Sequence, residues 1–203
     1  MVLAKVRLDL RNARIRAAAA DCQKLHRLVS GLFGTARAEA GLLYRLRPEG
    51  VTASLYLYAA TPVDTARLLP GMTLVGQRDV SEWLKGMTAG RTVGFDLLTM
   101  PSQKVSSKEH KHSQRRVFRT QDERIEWLQR KAAQNGFFIL SVQELESRKL
   151  LGRHSEENGG TLALDAFHYQ GVLRIDDAEK FRSALQNGIG PGKAYGLGML
   201  LLG

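Results

Sequence analysis

The sequence predicts an α+β fold made of two successive β-α-β-β halves, on three observations. Residues 2–10 alternate, with Val2, Ala4, Val6, Leu8 and Leu10 on one side and Lys5, Arg7 and Asp9 on the other; apart from Leu3 this is a half-buried strand. From Asp21 to Phe33 the apolar residues Leu25, Leu28, Val29, Leu32 and Phe33 recur at three and four, which is one helical stripe. After residues 90–95 the succession of strand, helix and paired strands begins again.

In order, residues 11–20 read as a connector running toward a helix through Ala17–Ala20. Leu42–Arg47 and Thr52–Tyr58 are two strands about the turn-forming trio Pro48-Glu49-Gly50. Ser54, Tyr56 and Tyr58 share one face, which serves equally as a base-stacking platform or as ordinary aromatic strand surface. Leu74–Asp79 is a short strand, Ser81–Met87 a short helix and Thr92–Met100 a strand. Thr120-Gln121-Asp122-Glu123 is a capping box opening a helix that stops near Asn135-Gly136. Phe137–Val142, Thr161–Phe167 and Gly171–Ile175 are strands, with Asn158-Gly159-Gly160 as a hairpin tip. Asp176-x-x-Glu179 caps a last helix, and Asn187-Gly188 stops it. Each half is then a split βαβ, ferredoxin-like unit of the kind found in RNA-recognition domains. The expected boundaries are residues 1–92 and 93–203.

The 203 residues carry a net charge of +10 and a pI near 10, so a polyanionic partner is expected, nucleic acid before an anionic membrane. No apolar run approaches the ~20 residues of a spanning helix, and charged Lys5 and Arg7 stand where a signal peptide needs its apolar stretch. Cys22 is the one cysteine, so no internal disulfide forms, and a reducing cytoplasmic setting is expected.

The charge is concentrated. Between Pro101 and Arg119, Lys104, Lys108, Lys111, Arg115, Arg116 and Arg119 stand against Glu109 alone. With its serines and few large apolar groups, this stretch reads as a mobile loop that docks on phosphates, or as a solvated linker. His110-x-His112 has no neighbouring Cys or acidic cluster, so no metal is assigned. Arg148, Lys149, Arg153 and His154 precede the hairpin tip and give a basic ribbon of the width that enters a nucleic-acid groove.

The run Gly188-Ile189-Gly190-Pro191-Gly192-Lys193-Ala194-Tyr195-Gly196-Leu197-Gly198 follows the last helix and leads into a short apolar closing strand, Ala194–Leu202. It is not a Walker A loop, since Asn187 stands at the first glycine and Ala194 follows the lysine. It is not a dinucleotide fingerprint, because the order of strand and helix is reversed. It reads as a loop that exposes backbone N–H groups to a ligand, with Gly190, Gly192, Lys193 and Tyr195 as contacts, or simply as a flexible turn.

On the first long helix, His26 lies between the apolar stripe and a polar flank of Gln23, Arg27 and Ser30. A histidine there either reaches a ligand half-desolvated or is a boundary residue bonded to a carbonyl. With an unperturbed pKa near ~6.5, it suits proton transfer in metal-free RNA scission.

Together, His26 in its Leu-His-Arg helix, the basic pair Arg148-Lys149 and the glycine run resemble the CasE family, the CRISPR-associated endoribonucleases of type I-E systems. The likeness runs through essentially the whole chain. It implies two ferredoxin-like domains holding a CRISPR repeat stem-loop in a basic cleft, and cleavage without metal or other cofactor at the 3′ base of the stem. The products would be a 2′,3′-cyclic phosphate and a 5′-hydroxyl. The mature crRNA would stay bound, and the protein would join the other Cascade subunits. By this resemblance His26 is catalytic, with Gln23, Arg27 and Ser30 in support. Lys104, Arg115, Arg116, Arg148, Lys149 and Arg153 would contact RNA. Some members carry a tyrosine where this chain has Gln23, and a lysine where it has Gly31. Glutamine cannot transfer a proton, which leaves His26 acting largely alone in slow, single-turnover cleavage. The alternative on the same fold is a non-catalytic RNA-hairpin-binding subunit.

Overall fold

The computed structural model describes residues 1–34, 41–105, 114–153 and 160–203. The first sheet comprises β1 (Val2–Asp9), β2 (Leu43–Glu49), β3 (Thr52–Ala59) and β4 (Met72–Asp79), in the spatial order β2-β3-β1-β4 and antiparallel throughout. Between β1 and β2 run α1 (Ala13–Ala19) and α2 (Cys22–Ser30). The expected connector is thus largely α1, capped by Asn12, whose side chain accepts from the N–H groups of Arg14 and Ile15. A single 3-10 turn, Thr65–Arg67, stands where a ferredoxin-like unit would carry its second helix. Pro48 belongs to β2, opposite Ala53 on an edge strand, and the turn falls at Gly50, with φ 66°.

After α3 (Ser81–Lys85), the second sheet repeats the arrangement. It comprises β5 (Thr92–Thr99), β8 (Phe137–Arg153), β9 (Thr161–Ile175) and β10 (Leu200–Leu202), in the order β10-β5-β9-β8. In both sheets the fourth strand lies beside the first, then come the third and the second. The long helices of this half are α4 (Gln121–Gln134) and α5 (Ala178–Asn187). Thr120 and Glu123 form the expected capping box, whereas α5 is capped by Asp177 rather than Asp176.

Three expectations are corrected. The basic stretch is not a loop throughout: β6 (Ser102–Val105) and β7 (Gln114–Val117) pair as a two-stranded ribbon, with Lys104 opposite Arg115 and Gln103 opposite Arg116. Lys108, Lys111, His110 and His112 lie outside the described residues, as does the Asn158-Gly159 tip. Second, β8 and β9 are single strands of 17 and 15 residues. Register shifts at Ile139/Ser141 and Glu144/Glu146 break the alternation of β8. Each extra residue flips the faces, so the sequence pattern looks interrupted where the strand continues. Third, Ala194–Leu202 is not one strand: only Leu200–Leu202 pairs, after a 3-10 turn at Lys193–Tyr195.

The first core packs α1 and α2 (Ile15, Leu25, Val29) on Val6, Leu8, Leu55 and Leu57. The second centres on Leu97, Trp127, Leu128, Phe137, Tyr169 and Phe181, and takes in Leu43, Tyr58, Leu84 and Met87 from the first half. Apolar burial at ~25 cal/mol per Å² therefore joins the halves as well as filling each. On the strands, Arg45, Asp96 and His168 alternate with the core residues Tyr44, Leu97 and Tyr169, so they lie on the faces away from the helices. There Arg45 meets Asp96 at 3.4 Å, and Asp96 also bonds His168 Nε2 at 2.8 Å and Gln170 at 2.9 Å. Among the described residues no helix is long and apolar enough to cross a membrane.

Candidate functional site

The site forms where the start of α2, the outer end of β8 and the glycine run converge. Asp21 begins it. Its side chain accepts from the backbone N–H groups of Gln23 and Lys24, both at 2.9 Å, and caps α2. Its other carboxylate oxygen accepts from the N–H of Arg153 at 3.2 Å, which ties β8 to the helix start. Burial opposes ionisation of Asp21, but N–H donation from Lys24, Arg153 and Gln23 outweighs it and holds the carboxyl below its usual range. Gly152 completes the contact. A Cβ there would come within 2.7 Å of Cys22 Sγ and 3.1 Å of the Gln23 nitrogen, so only glycine lets the strand this close.

The glycine run approaches from the other side. Gly188, Gly190, Gly192, Gly196 and Gly198 all have φ between 72° and 84°. It is not a flexible turn. Ile189 N–H donates to Gly198 O at 2.8 Å, Tyr195 N–H to Gly192 O at 2.8 Å, and Gly198 N–H to Leu98 O at 2.7 Å. A Cβ on Gly190 would strike Thr99 and Trp127, and one on Gly196 the Tyr44 ring. Much of the glycine content therefore serves packing. Tyr44 is fully buried and donates its hydroxyl to Ala194 O at 2.9 Å, fastening the 3-10 turn to β2.

That turn carries Tyr195 to α2. The rings of Tyr195 and His26 lie 6.1 Å apart, edge to face at 70°. Gln23 Nε2 donates to the Tyr195 hydroxyl at 3.1 Å. His26 is half-buried, not sealed in the core. Behind Tyr195 a cavity of about 170 Å³ opens between α2, β2 and β8, with Arg148 in its wall.

The predicted residues do not all come together. Gln23, His26, Tyr195 and the backbone of Arg153 come together at α2, with Lys193 on the same 3-10 turn as Tyr195 and Gly192 capping that turn. Ser30 lies one turn beyond His26 with its hydroxyl buried. Exposed Arg27 faces a separate groove shared with Arg14, Lys24 and Arg67. Lys104, Arg115 and Arg116 sit on the β6–β7 ribbon. Its Val117 packs on the same small cluster of Leu98, Met100, Ala166 and Leu197 as do Leu150 and Leu164, toward the outer end of the long hairpin. Arg148 and Lys149 diverge, as neighbours on a strand must. Lys149 is exposed and meets Asp165 at 3.5 Å. Arg148 turns between the sheets, where Nη2 donates to Leu46 O at 3.5 Å and burial lowers its pKa. Asp21 and Gly152 were not singled out from the sequence. For Gly152 the available signal was a lone glycine in a strand pattern, which marks a close backbone approach.

Comparisons with known proteins bear on the chain as a whole. The family model described as CRISPR associated protein matches residues 1–203. The chain is 29% identical to CRISPR-associated endoribonuclease Cse3 of Thermus thermophilus, over 98% of both chains. It is similar to the solved structure of CRISPR endoribonuclease Cse3 bound to a 19-nucleotide RNA, with a TM-score of 0.87, 26% identity and full coverage of both chains. A chain of a CRISPR RNA-guided surveillance complex in a pre-nicking state matches with a TM-score of 0.77 at 27% identity, over 100% of this chain and 99% of that one. With its whole length matched and its architecture shared, the chain belongs to the family of CRISPR-associated proteins.

Proposed function

We propose that this protein is an endoribonuclease that cleaves CRISPR repeat RNA at the 3′ base of its stem-loop, keeps the mature crRNA and joins the other Cascade subunits. The observation that supports it is the meeting of His26 with the glycine run, 6.1 Å between the His26 and Tyr195 rings from opposite ends of the sequence. Cse3, similar over its whole length, is named an endoribonuclease and has been solved with RNA; the surveillance complex supplies the assembly.

In the proposed reaction the bond from the 2′-oxygen to phosphorus forms as the bond from phosphorus to the 5′-oxygen breaks. His26 takes the 2′-hydroxyl proton, and the departing 5′-oxygen takes one from water. The products are a 2′,3′-cyclic phosphate and a 5′-hydroxyl, and the step needs no metal. Alignment of the RNA supplies much of the rate, in keeping with slow single-turnover cleavage. Residues 1–92 and 93–203 act as two domains. Lys104, Arg115 and Arg116 of the ribbon and Lys149 and Arg153 of the long hairpin contact phosphates. Arg27 reaches RNA from its neighbouring groove. Gly190 and Gly192 shape the loop, and Lys193 docks the strand. The reaction belongs to the cytoplasm.

The test is cleavage of repeat RNA in EDTA by the wild type and by His26→Ala. The proposal expects cyclic-phosphate product from the wild type alone. Equal cutting by both, or none by the wild type, rejects it. The second outcome would favour a non-catalytic hairpin-binding subunit.

A further inference from the structure

We propose that Tyr195 is the second catalytic side chain, donating its phenolic hydrogen to a non-bridging oxygen of the scissile phosphate, and that Gln23 is the residue that aims it. This rests on the reading of His26 as the base. The hydroxyl accepts from Gln23 Nε2 at 3.1 Å, a bond between residues 172 positions apart. A phenol that accepts one hydrogen bond keeps its own O–H to donate. Gln23 and His26 are three residues apart on α2, hence on one side of the helix, so the phenolic oxygen and the imidazole face the same space.

The ring is held for this purpose. Gly192 and Gly196, at φ 81° and 80°, bracket the 3-10 turn, and Tyr195 N–H closes on Gly192 O. Tyr44 anchors the turn through Ala194 O. Tyr195 is nonetheless only half-buried, so its hydroxyl lies within reach of a ligand. Tyr44 cannot fill the role, because it is fully buried and its proton is committed to Ala194 O.

Negative charge grows on the non-bridging oxygens as phosphorus becomes five-coordinate. A fixed neutral donor stabilises that charge without reorganising and without transferring its proton. Gln23 is therefore a positioning residue: its amide is engaged by the phenol, and it acts on the phosphate through Tyr195.

Tyr195→Phe keeps the ring and removes only the oxygen. Single-turnover cleavage of the repeat stem-loop should fall about 10²–10³-fold, the cost of one such donor, with Kd for the RNA within about threefold. Gln23→Ala should lose less, and adding it to Tyr195→Phe should cost nothing more. Sulfur placed at the contacted non-bridging oxygen should slow the wild type and leave Tyr195→Phe almost unaffected, a response that a merely structural ring would not give. A Tyr195→Phe rate within threefold of the wild type, or rate and affinity lost in equal measure, overturns the assignment. If His26→Ala is inert while Tyr195→Phe cuts normally, this inference alone falls. If His26→Ala cuts, the reading beneath it falls.

Discussion

Asp96 of β5 holds Arg45 of β2 across the seam between the two sheets, oxygen to guanidinium nitrogen at 3.4 Å, with Arg45 only 2% exposed. Burial pulls the Arg45 pKa down to about 10 even though Asp96 pulls the other way. Asp96 is itself partly buried, which opposes its charge, yet donation from Gln170 and His168 and the nearby guanidinium keep its pKa low. Removing the carboxylate leaves a buried cation without its counter-ion. Asp96→Ala should therefore cost about 3–5 kcal/mol, read from urea unfolding, and Asp96→Asn less.

Gly152→Ala tests the strand–helix contact. The added methyl meets Cys22 Sγ and the Gln23 backbone, and the backbone cannot swing aside. The expected cost is about 1–3 kcal/mol in stability. Cleavage rate should fall more than RNA affinity, because the residue displaced is Gln23 and the phosphate contacts on the ribbons remain.

Acid should loosen the second half through Glu144. Burial raises its pKa, but the Arg124 guanidinium at 2.6 and 2.9 Å and the Tyr169 hydroxyl at 2.8 Å more than offset this, so the folded value lies below the ordinary 4.5. A depressed carboxyl contributes fully above its unfolded pKa and is lost as pH falls through the folded value. The melting temperature of the wild type should thus fall below pH 4.5 more steeply than that of Glu144→Gln, which starts lower and has no charge to lose. Parallel curves would exclude Glu144 as the source.

RNA affinity should separate Arg148 from its neighbours. Alanine at Lys149, Arg153 or Arg116 should each reduce the slope of log Kd against log salt by roughly 0.7–0.9, the release expected for one phosphate contact. Arg148→Ala should leave the slope unchanged and lower stability, because that side chain is half-buried against Leu46 O. The sequence alone puts Arg148, Lys149 and Arg153 together on one basic ribbon.

That difference shows what was legible. Alternation, the helical stripe at Leu25–Phe33 and the Thr120–Glu123 box are local signals, and they located most strands and helices and the stop at Gly188. The length of β8 was not legible, because its bulges move the alternation by one residue twice. His26 stood out by its place at the edge of the stripe. What faces it did not, since the bond from Gln23 to Tyr195 joins residues 172 apart and depends on how five glycines turn. The inward course of Arg148 likewise follows from which face of β8 meets the first half, a property of the assembled sheets.

The convergence of α2 with the glycine run also fixes when the chain can become active. A ribosome releases His26 well before residues 188–198, so on the proposed reading a nascent chain carries its base before its partner exists. Nuclease competence would then arise in a single late event, and transcripts near the translating ribosome would be spared by an unfinished enzyme.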